Sequence, residues 1–303
     1  MKKNSRLLRG LCLCLCLLSI PAFGRPDRVF DHFLCTDYSQ GKVLLFENGQ
    51  VVWEHEAPMS NDVWLLPNGN MLFTTGHGVL EVTRAQDTVF CYQSDSYVFA
   101  CQRLRNGNTF VGECSAGRLL EIAPDGRIVH EVSILPEGVT DAGMSFIRNA
   151  RRLRNGHYLV AHYGGKKVVE YDADGRTVWE APVSGGAHSV MRLRNGDTMV
   201  SAADADRNPR LLRFDRKGRL VWELSNKDLP GEPFKFLGGM YALRDGSVVF
   251  ANWQGHGTAD QPHIFHVGRD KQLIDSFGPH NAIKTVSSVV VIGRRNRLSD
   301  YGH

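Results

Sequence analysis

One phrase recurs five times along this chain: Leu66-Pro67-Asn68-Gly69, Leu104-Arg105-Asn106-Gly107, Leu153-Arg154-Asn155-Gly156, Leu193-Arg194-Asn195-Gly196 and Leu243-Arg244-Asp245-Gly246. Repetition at a steady period marks a repeat architecture and constrains the fold before composition does. Asn-Gly or Asp-Gly between apolar runs signals a β-hairpin, and a type I′ turn there asks positive φ of both central residues. A second phrase follows the first at a distance that fits two more strands. Its copies are Asn48-Gly49-Gln50-Val51-Val52-Trp53-Glu54, Asp125-Gly126-Arg127-Ile128-Val129-His130-Glu131, Asp174-Gly175-Arg176-Thr177-Val178-Trp179-Glu180 and Lys217-Gly218-Arg219-Leu220-Val221-Trp222-Glu223. A degenerate copy runs from Asp270 to Asp275. Each unit therefore reads as strand A, Asn-Gly turn, strand B, loop, strand C, Asp-Gly turn, strand D.

Five units are complete and begin near Asn61, Val98, Ile147, His188 and Gly238. A sixth is split: Phe30–Asp37, Lys42–Glu47 and Gln50–His55 supply strands B, C and D, and the apolar run Thr285–Ile292 supplies the missing A. The expected fold is all-β, a six-bladed β-propeller of four-stranded blades closed by pairing the C-terminal strand with the N-terminal strands. Closure removes exposed sheet edges. An open solenoid would leave Thr285–Ile292 without a partner. The units resemble the PQQ-like, or quinoprotein-type, propeller repeat, in which an L-x-N-G hairpin precedes a D-G-x-x-x-W-E closing strand. The resemblance covers residues 30–292 and implies fold. It does not imply PQQ as a cofactor, because the vicinal Cys-Cys pair that many quinoproteins place beside the quinone is missing. Relatives of this kind include envelope-assembly scaffolds and enzymes, so fold alone selects no activity.

Residues 1–24 read as a signal peptide: Lys2, Lys3, Arg6 and Arg9 precede the apolar run Leu11–Ile20, and Ala22-Phe23-Gly24 offers small residues for cleavage. Residues 25–293 form one propeller domain and 294–303 a C-terminal tail. The expected location is periplasmic, extracellular or at the cell surface, with no membrane span, since the run falls short of the ~20 apolar residues a span needs. Cys12, Cys14 and Cys16 lie inside the run instead of just after it, which argues against a lipid anchor. Removing the leader's four basic residues from the chain's 36 leaves 32, equal to its 32 acidic residues. A neutral mature chain gives no electrostatic case for nucleic acid as partner. The arginines of the turns read as solvated charges. Four cysteines remain, Cys35, Cys91, Cys101 and Cys114. An exported protein can pair them in three ways or leave them as buried thiols.

In a propeller the A strands run the same way along the axis, so equivalent positions form rings. Counting back eight from each hairpin glycine gives Asn61, Phe99, Arg148, His188 and Gly238 at the A starts. Counting forward six gives Thr75, Glu113, His162, Ala202 and Asn252 at the B ends, with Asp37 equivalent in the split unit and Lys284 opening the closing strand. The loops after B add His77, Tyr163, Asp204, Asp206, Trp253 and His256. Residues that differ from repeat to repeat at ring positions suit a ligand site on a repeat scaffold.

Three readings follow. The first is a polar small-molecule or carbohydrate site, with Asp37, Asn61, His77, Tyr163, Asn252, Trp253, His256 and Lys284 as ligand-binding candidates and aromatic stacking from Trp253 or Tyr163. The second is a lyase or hydrolase acting on carbohydrate through a divalent metal held by His77, His162, His188 and His256. In that reading His162 or His188 serves as base, Arg148 pairs with an oxyanion and Glu113 ligates or shuttles protons. The third is a scaffold that binds an envelope protein partner. The Trp residues of strand D pack between blades, and no serine-nucleophile elbow, P-loop or H-E-x-x-H motif occurs.

Overall fold

The computed structural model describes residues 28–204, 208–231, 233–255 and 260–293. The expected leader, the tail from 294, Asp206 and His256 lie outside these residues. Turn chemistry sets the strand lengths. In each L-x-N-G phrase the glycine sits at positive φ, from +86° at Gly69 to +91° at Gly196. The preceding Asn or Asp does not, which corrects the type I′ expectation. Its side-chain oxygen instead accepts the N–H two residues on, as in Asn70 N–H to Asn68 Oδ1 at 3.0 Å. The same bond recurs at Asn106, Asn155, Asn195 and Asp245. The hairpin is thus a three-residue loop ending in a left-handed glycine. Asn48 and Gly49, both at positive φ between the paired Glu47 and Gln50, do form the two-residue turn.

The first three strands are β1 (His32–Asp37), β2 (Lys42–Glu47) and β3 (Gln50–Glu56). Then come β4 (Val63–Leu65), β5 (Met71–Thr74), β6 (Gly76–Val82), β7 (Thr88–Arg103), β8 (Thr109–Glu113), β9 (Arg118–Ile122) and β10 (Ile128–Ser133). The next repeat is β11 (Asn149–Arg152), β12 (Tyr158–His162), β13 (Lys167–Tyr171) and β14 (Thr177–Pro182). It is followed by β15 (Ala187–Arg192), β16 (Thr198–Ala202), β17 (Arg210–Phe214) and β18 (Leu220–Ser225). Last come β19 (Leu237–Ala242), β20 (Val248–Asn252), β21 (Ile264–Val267), β22 (Leu273–Phe277) and β23 (Val286–Val291). All pair antiparallel with their sheet neighbours. The described strands form five sheets, four of them four-stranded. One is β23-β1-β2-β3, in which Leu34 faces Val290 and Cys35 faces Val289. The C-terminal strand therefore pairs with an N-terminal one, as the orphan run predicts.

The fifth sheet departs from expectation. It has seven strands, because β7 runs for 16 residues through what the repeat divides into a D strand and the next A strand. Its first half pairs with β6 and its second with β8. The linking Ser94-Asp95-Ser96-Tyr97 contains neither Gly nor Pro, so nothing breaks the extended chain.

Inner strands touch across sheet boundaries: β7 with β11, β11 with β15, β15 with β19, β19 with β23 and β23 with β4. Strands β8, β12, β16 and β20 are buried on both faces, as sheets stacked face to face require. Outermost strands alternate and leave Val129, Val178 and Val221 exposed. Trp53 lies in the core, and Trp179 and Trp222 pack against it. At the axis β19 comes so close to β23 that a Cβ on Gly238 would stand 2.5 Å from the carbonyl oxygen of Ser287. Only glycine fits there. Nearby, Asp62 receives Arg151 in a buried bidentate ion pair at 2.6 and 2.8 Å, and also the N–H of Cys101 at 3.0 Å. Cys35, Cys91, Cys101 and Cys114 are all unbridged thiols.

Candidate functional site

The A starts and the loops after B enclose a cavity of about 310 Å³ at one end of the axis. Asn61, Arg148, Tyr163, His188 and Trp253, all singled out by repeat position, line it. Tyr38, Met144, Ser145, Phe236 and Ser287 complete the lining. All five sheets contribute.

The walls are aromatic and mutually braced. Tyr38 meets Trp253 edge-on at 6.2 Å, Trp253 meets Phe236 at 5.0 Å, and Phe236 stacks on Tyr163 at 6.2 Å. His188 stands edge-on to Phe236 at 5.3 Å. The Tyr163 hydroxyl donates to Asp204 Oδ2 at 2.6 Å, and Asp204 Oδ1 accepts the Gly186 N–H at 2.9 Å. A Cβ on Gly186 would fall 2.3 Å from the Tyr163 ring, so glycine lets that ring lie flat against the backbone. Burial, then Asp204, raises the Tyr163 pKa, which keeps its hydroxyl protonated.

Two nitrogenous side chains supply the polarity. Arg148 is half-buried, its guanidinium 4.3 Å over the Phe99 ring, and it donates to Asn61 Oδ1 at 3.1 Å. Among the described residues no carboxylate pairs with it. His188 is 4% exposed, and its buried Nδ1 has no hydrogen-bond partner. Burial, reinforced by the Arg148 charge, pushes its pKa well below the ordinary histidine value, so the imidazole is neutral.

The remaining candidates are drawn into other work. His162, assigned above as base and metal ligand, lies buried outside the cavity. Its Nδ1–H donates to the Phe146 carbonyl at 2.7 Å and its Nε2 accepts from the Tyr171 hydroxyl at 2.9 Å. Both nitrogens are engaged within the fold, and the residue does not line the cavity. Glu113, buried behind the A strands, accepts from the Tyr92 and Ser94 hydroxyls and from Arg118 Nε, each at 2.6 Å. Burial alone would raise its pKa, but those three donors outweigh it and hold the carboxylate below its usual value. Its carboxylate is committed to these three donors and does not line the cavity. Asp37 accepts backbone N–H groups from Gln40, Lys284 and Thr285, tying β1 to the approach of β23. Lys284 is outside the cavity and enters that tie through its backbone. The Asn252 amide knits Lys235, Pro233 and Pro262 together. His77 is exposed beside the Tyr97 ring at 4.5 Å. These residues were expected at the mouth because the ring argument tracks height along the axis, whereas B ends stand one strand further out.

The described lining of the cavity offers a divalent metal one histidine and no carboxylate. Among the described residues no three His, Cys, Asp or Glu side chains gather to hold one. A quinone bearing several carboxylates would call for several cations, and Arg148 is the one charged side chain in the lining. Phe236 and Tyr38 were missed by counting: Tyr38 follows the B end Asp37 as Tyr163 follows His162, and Phe236 stands two residues before the A start Gly238. Their one sequence signal was aromatic residues in the turns flanking inner strands.

The opposite end differs. There the L-x-N-G turns set exposed Arg105, Arg154 and Arg194 around grooves of about 680 and 510 Å³. Inner-strand Arg103 and Arg192 pair with Glu81 and Glu170 of the neighbouring repeat, and Arg192 keeps 2.6 Å to its partner. Sequence reading treated these arginines as scattered, and the fold gathers them on one face.

Residues 117–259 match the family model described as outer membrane protein assembly factor BamB, of the PQQ-like repeat type. The fold is a PQQ-like β-propeller. Solved structures agree with this PQQ-like propeller in architecture. A protein of unknown function from Bacteroides caccae shares 20% identity at a TM-score of 0.75, covering 85% of this chain and 97% of that one. A catalytically inactive virginiamycin B lyase from Staphylococcus aureus, solved with quinupristin, is 13% identical at a TM-score of 0.60, covering 90% and 94%. BBS1N in complex with ARL6DN is 13% identical at 0.55, covering 88% and 80%. Identities this low carry fold and no activity. No curated protein sequence matches the chain. Among the described residues of the PQQ-like propeller, no helix is long and apolar enough to cross a membrane.

Proposed function

We propose that this chain is an exported, six-bladed propeller that binds a small molecule at the mouth built from the A starts. Reading the two halves of β7 as belonging to successive blades gives the count of six, and the β23–β1 pairing supports closure. Export rests on the basic, apolar leader. The observation that carries the binding reading is the cavity itself: about 310 Å³, lined by residues that mostly differ from repeat to repeat. Volumes of ~300–1,000 Å³ with apolar walls and a few convergent polar groups are usual for small-molecule sites. That a lyase of similar fold is solved with quinupristin favours a ligand site on such a scaffold. The test is ligand-detected NMR of the mature protein against a fragment library. Fragments that bind the mature protein should lose their signal with the Phe236→Ala/Trp253→Ala variant. If every hit survives that double substitution, the mouth is not the site.

A second reading, a protein-binding scaffold, is favoured by the arginine-lined grooves at the other end. An acidic partner segment would suit them, as the family match to an assembly factor invites. Binding of a synthetic poly-glutamate peptide, weakened by salt and lost in Arg105→Glu/Arg194→Glu, would support it. Salt-independent binding, or none, would leave those arginines as solvated turn charges.

A further inference from the structure

Resting on the reading of the mouth as a ligand site, we infer that the ligand is an organic anion with a flat apolar body, its acid group held by Arg148 and His188. Three independent features of the cavity converge on that class.

The first is an uncompensated cation. Of the other buried or half-buried arginines of the inner strands, Arg151 has Asp62, Arg103 has Glu81 and Arg192 has Glu170, while Arg152 donates to the His157 carbonyl and lies over the Tyr158 ring. Arg148 has a neutral amide oxygen and the face of Phe99. The nearby carboxylate of Asp204 is already committed to the Tyr163 hydroxyl and the Gly186 N–H. A guanidinium withdrawn from water on a mostly apolar surface is costly unless paired, so the charge calls for an anion from outside the fold.

The second is a buried orphan. His188 lines the same cavity with 4% of the residue exposed; its Nδ1 is closed off without a partner, and its Nε2 makes no hydrogen bond among the described residues either. Buried polar nitrogens are usually satisfied, and a histidine without a partner in a cavity wall is open to a bond from a ligand. A neutral imidazole carries one N–H, and with that proton on Nε2, the nitrogen not closed off by the fold, it donates to an oxyanion beside Arg148. An arginine and a second donor converging on one acid group is the arrangement that gives short, charge-assisted bonds.

The third is the wall. Tyr38, Trp253, Phe236 and Tyr163 form a continuous aromatic arc. Such an arc stacks on a planar body. A neutral sugar could also stack there, but it would leave the Arg148 charge unanswered.

The experiment uses a matched pair of probes on the mature full chain: 2-naphthoate and 2-naphthalenemethanol, which share an aromatic body and differ in the charge of one group. Calorimetric titration should show 2-naphthoate binding at least about tenfold more tightly, the margin expected of a charge-assisted contact. Arg148→Gln should bring the two probes to similar affinity, and Arg148→Lys should restore part of the difference. If both probes bind the unaltered protein equally, the anion assignment is overturned while the small-molecule reading stands. If neither binds, the assignment falls together with the small-molecule reading of the mouth. The comparison on the unaltered protein decides the matter even if a variant fails to fold.

Discussion

Asp62 and Arg151 lie near the axis of the molecule, where a charge can reach little water. Asp62 is 2% exposed, and burial raises its pKa above the ordinary aspartate value against the opposing pull of Arg151. The sign matters. A carboxyl whose folded pKa is raised binds its proton more readily in the fold than in the unfolded chain, so ionising it at neutral pH detracts from stability. The pair is therefore held by mutual need and adds little net stability. Removing one partner alone, as in Asp62→Leu, leaves the guanidinium without its bonds at 2.6 and 2.8 Å and the Cys101 N–H without its acceptor. The expected loss is about 3–5 kcal/mol. For a domain of this size that is a fall in Tm of roughly 6–20 °C, at ~2–4 °C per kcal/mol. Replacing both, as Asp62→Leu/Arg151→Met, should recover most of the loss, because no unpaired charge remains. Urea unfolding of the four proteins closes the double-mutant cycle. A single-variant loss below about 1 kcal/mol, or a double variant as unstable as the sum of the singles, would refute the reasoning.

The remaining predictions concern protonation and access. His162 is pushed down to about 4 by burial, and His263 likewise, so both are neutral in the fold. Their contribution is complete above the unfolded value near 6.5 and is lost as pH falls towards 4. For His162 alone this amounts to about 3 kcal/mol, and urea midpoints of His162→Gln should show a correspondingly weaker dependence on pH across that window. Of the four cysteines after the leader, Cys91 alone is exposed, so brief maleimide treatment of native protein followed by peptide mass spectrometry should find that thiol modified. Cys35, Cys101 and Cys114 should react only after unfolding, since burial shields them and raises their pKa values.

How much of this was readable before the fold depends on how local the determining physics is. The hairpins were legible because an L-x-N-G turn needs only its own glycine and the Asn or Asp before it. The exact turn was not, since Asn68 and its equivalents can meet the turn by positive φ or by a side-chain bond, and both use the same residue types. Asn61, Arg148 and His188 emerged from counting because a rigid register carries the glycine position to the strand start. His162 and Glu113 came from the same counting and lie off the cavity wall, held by hydrogen-bond partners, Phe146, Tyr171, Tyr92 and Ser94, that the count left out. Phe236 reaches the cavity from two residues before an A start, a position the counting did not include. Its place depends on the packing of Trp253, Tyr163 and His188 around it.

The unbroken β7 has a bearing on how the molecule comes apart. Neighbouring sheets elsewhere meet through side chains, and such contacts can loosen locally while each ladder of backbone bonds survives. Between β6 and β8 the ladder is carried across by one continuous strand. Fraying that starts on either side must tug on the same 16 residues. The stretch from β4 to β10 is therefore expected to open as a single cooperative unit, on whose flank the half-buried Arg148 sits over Phe99.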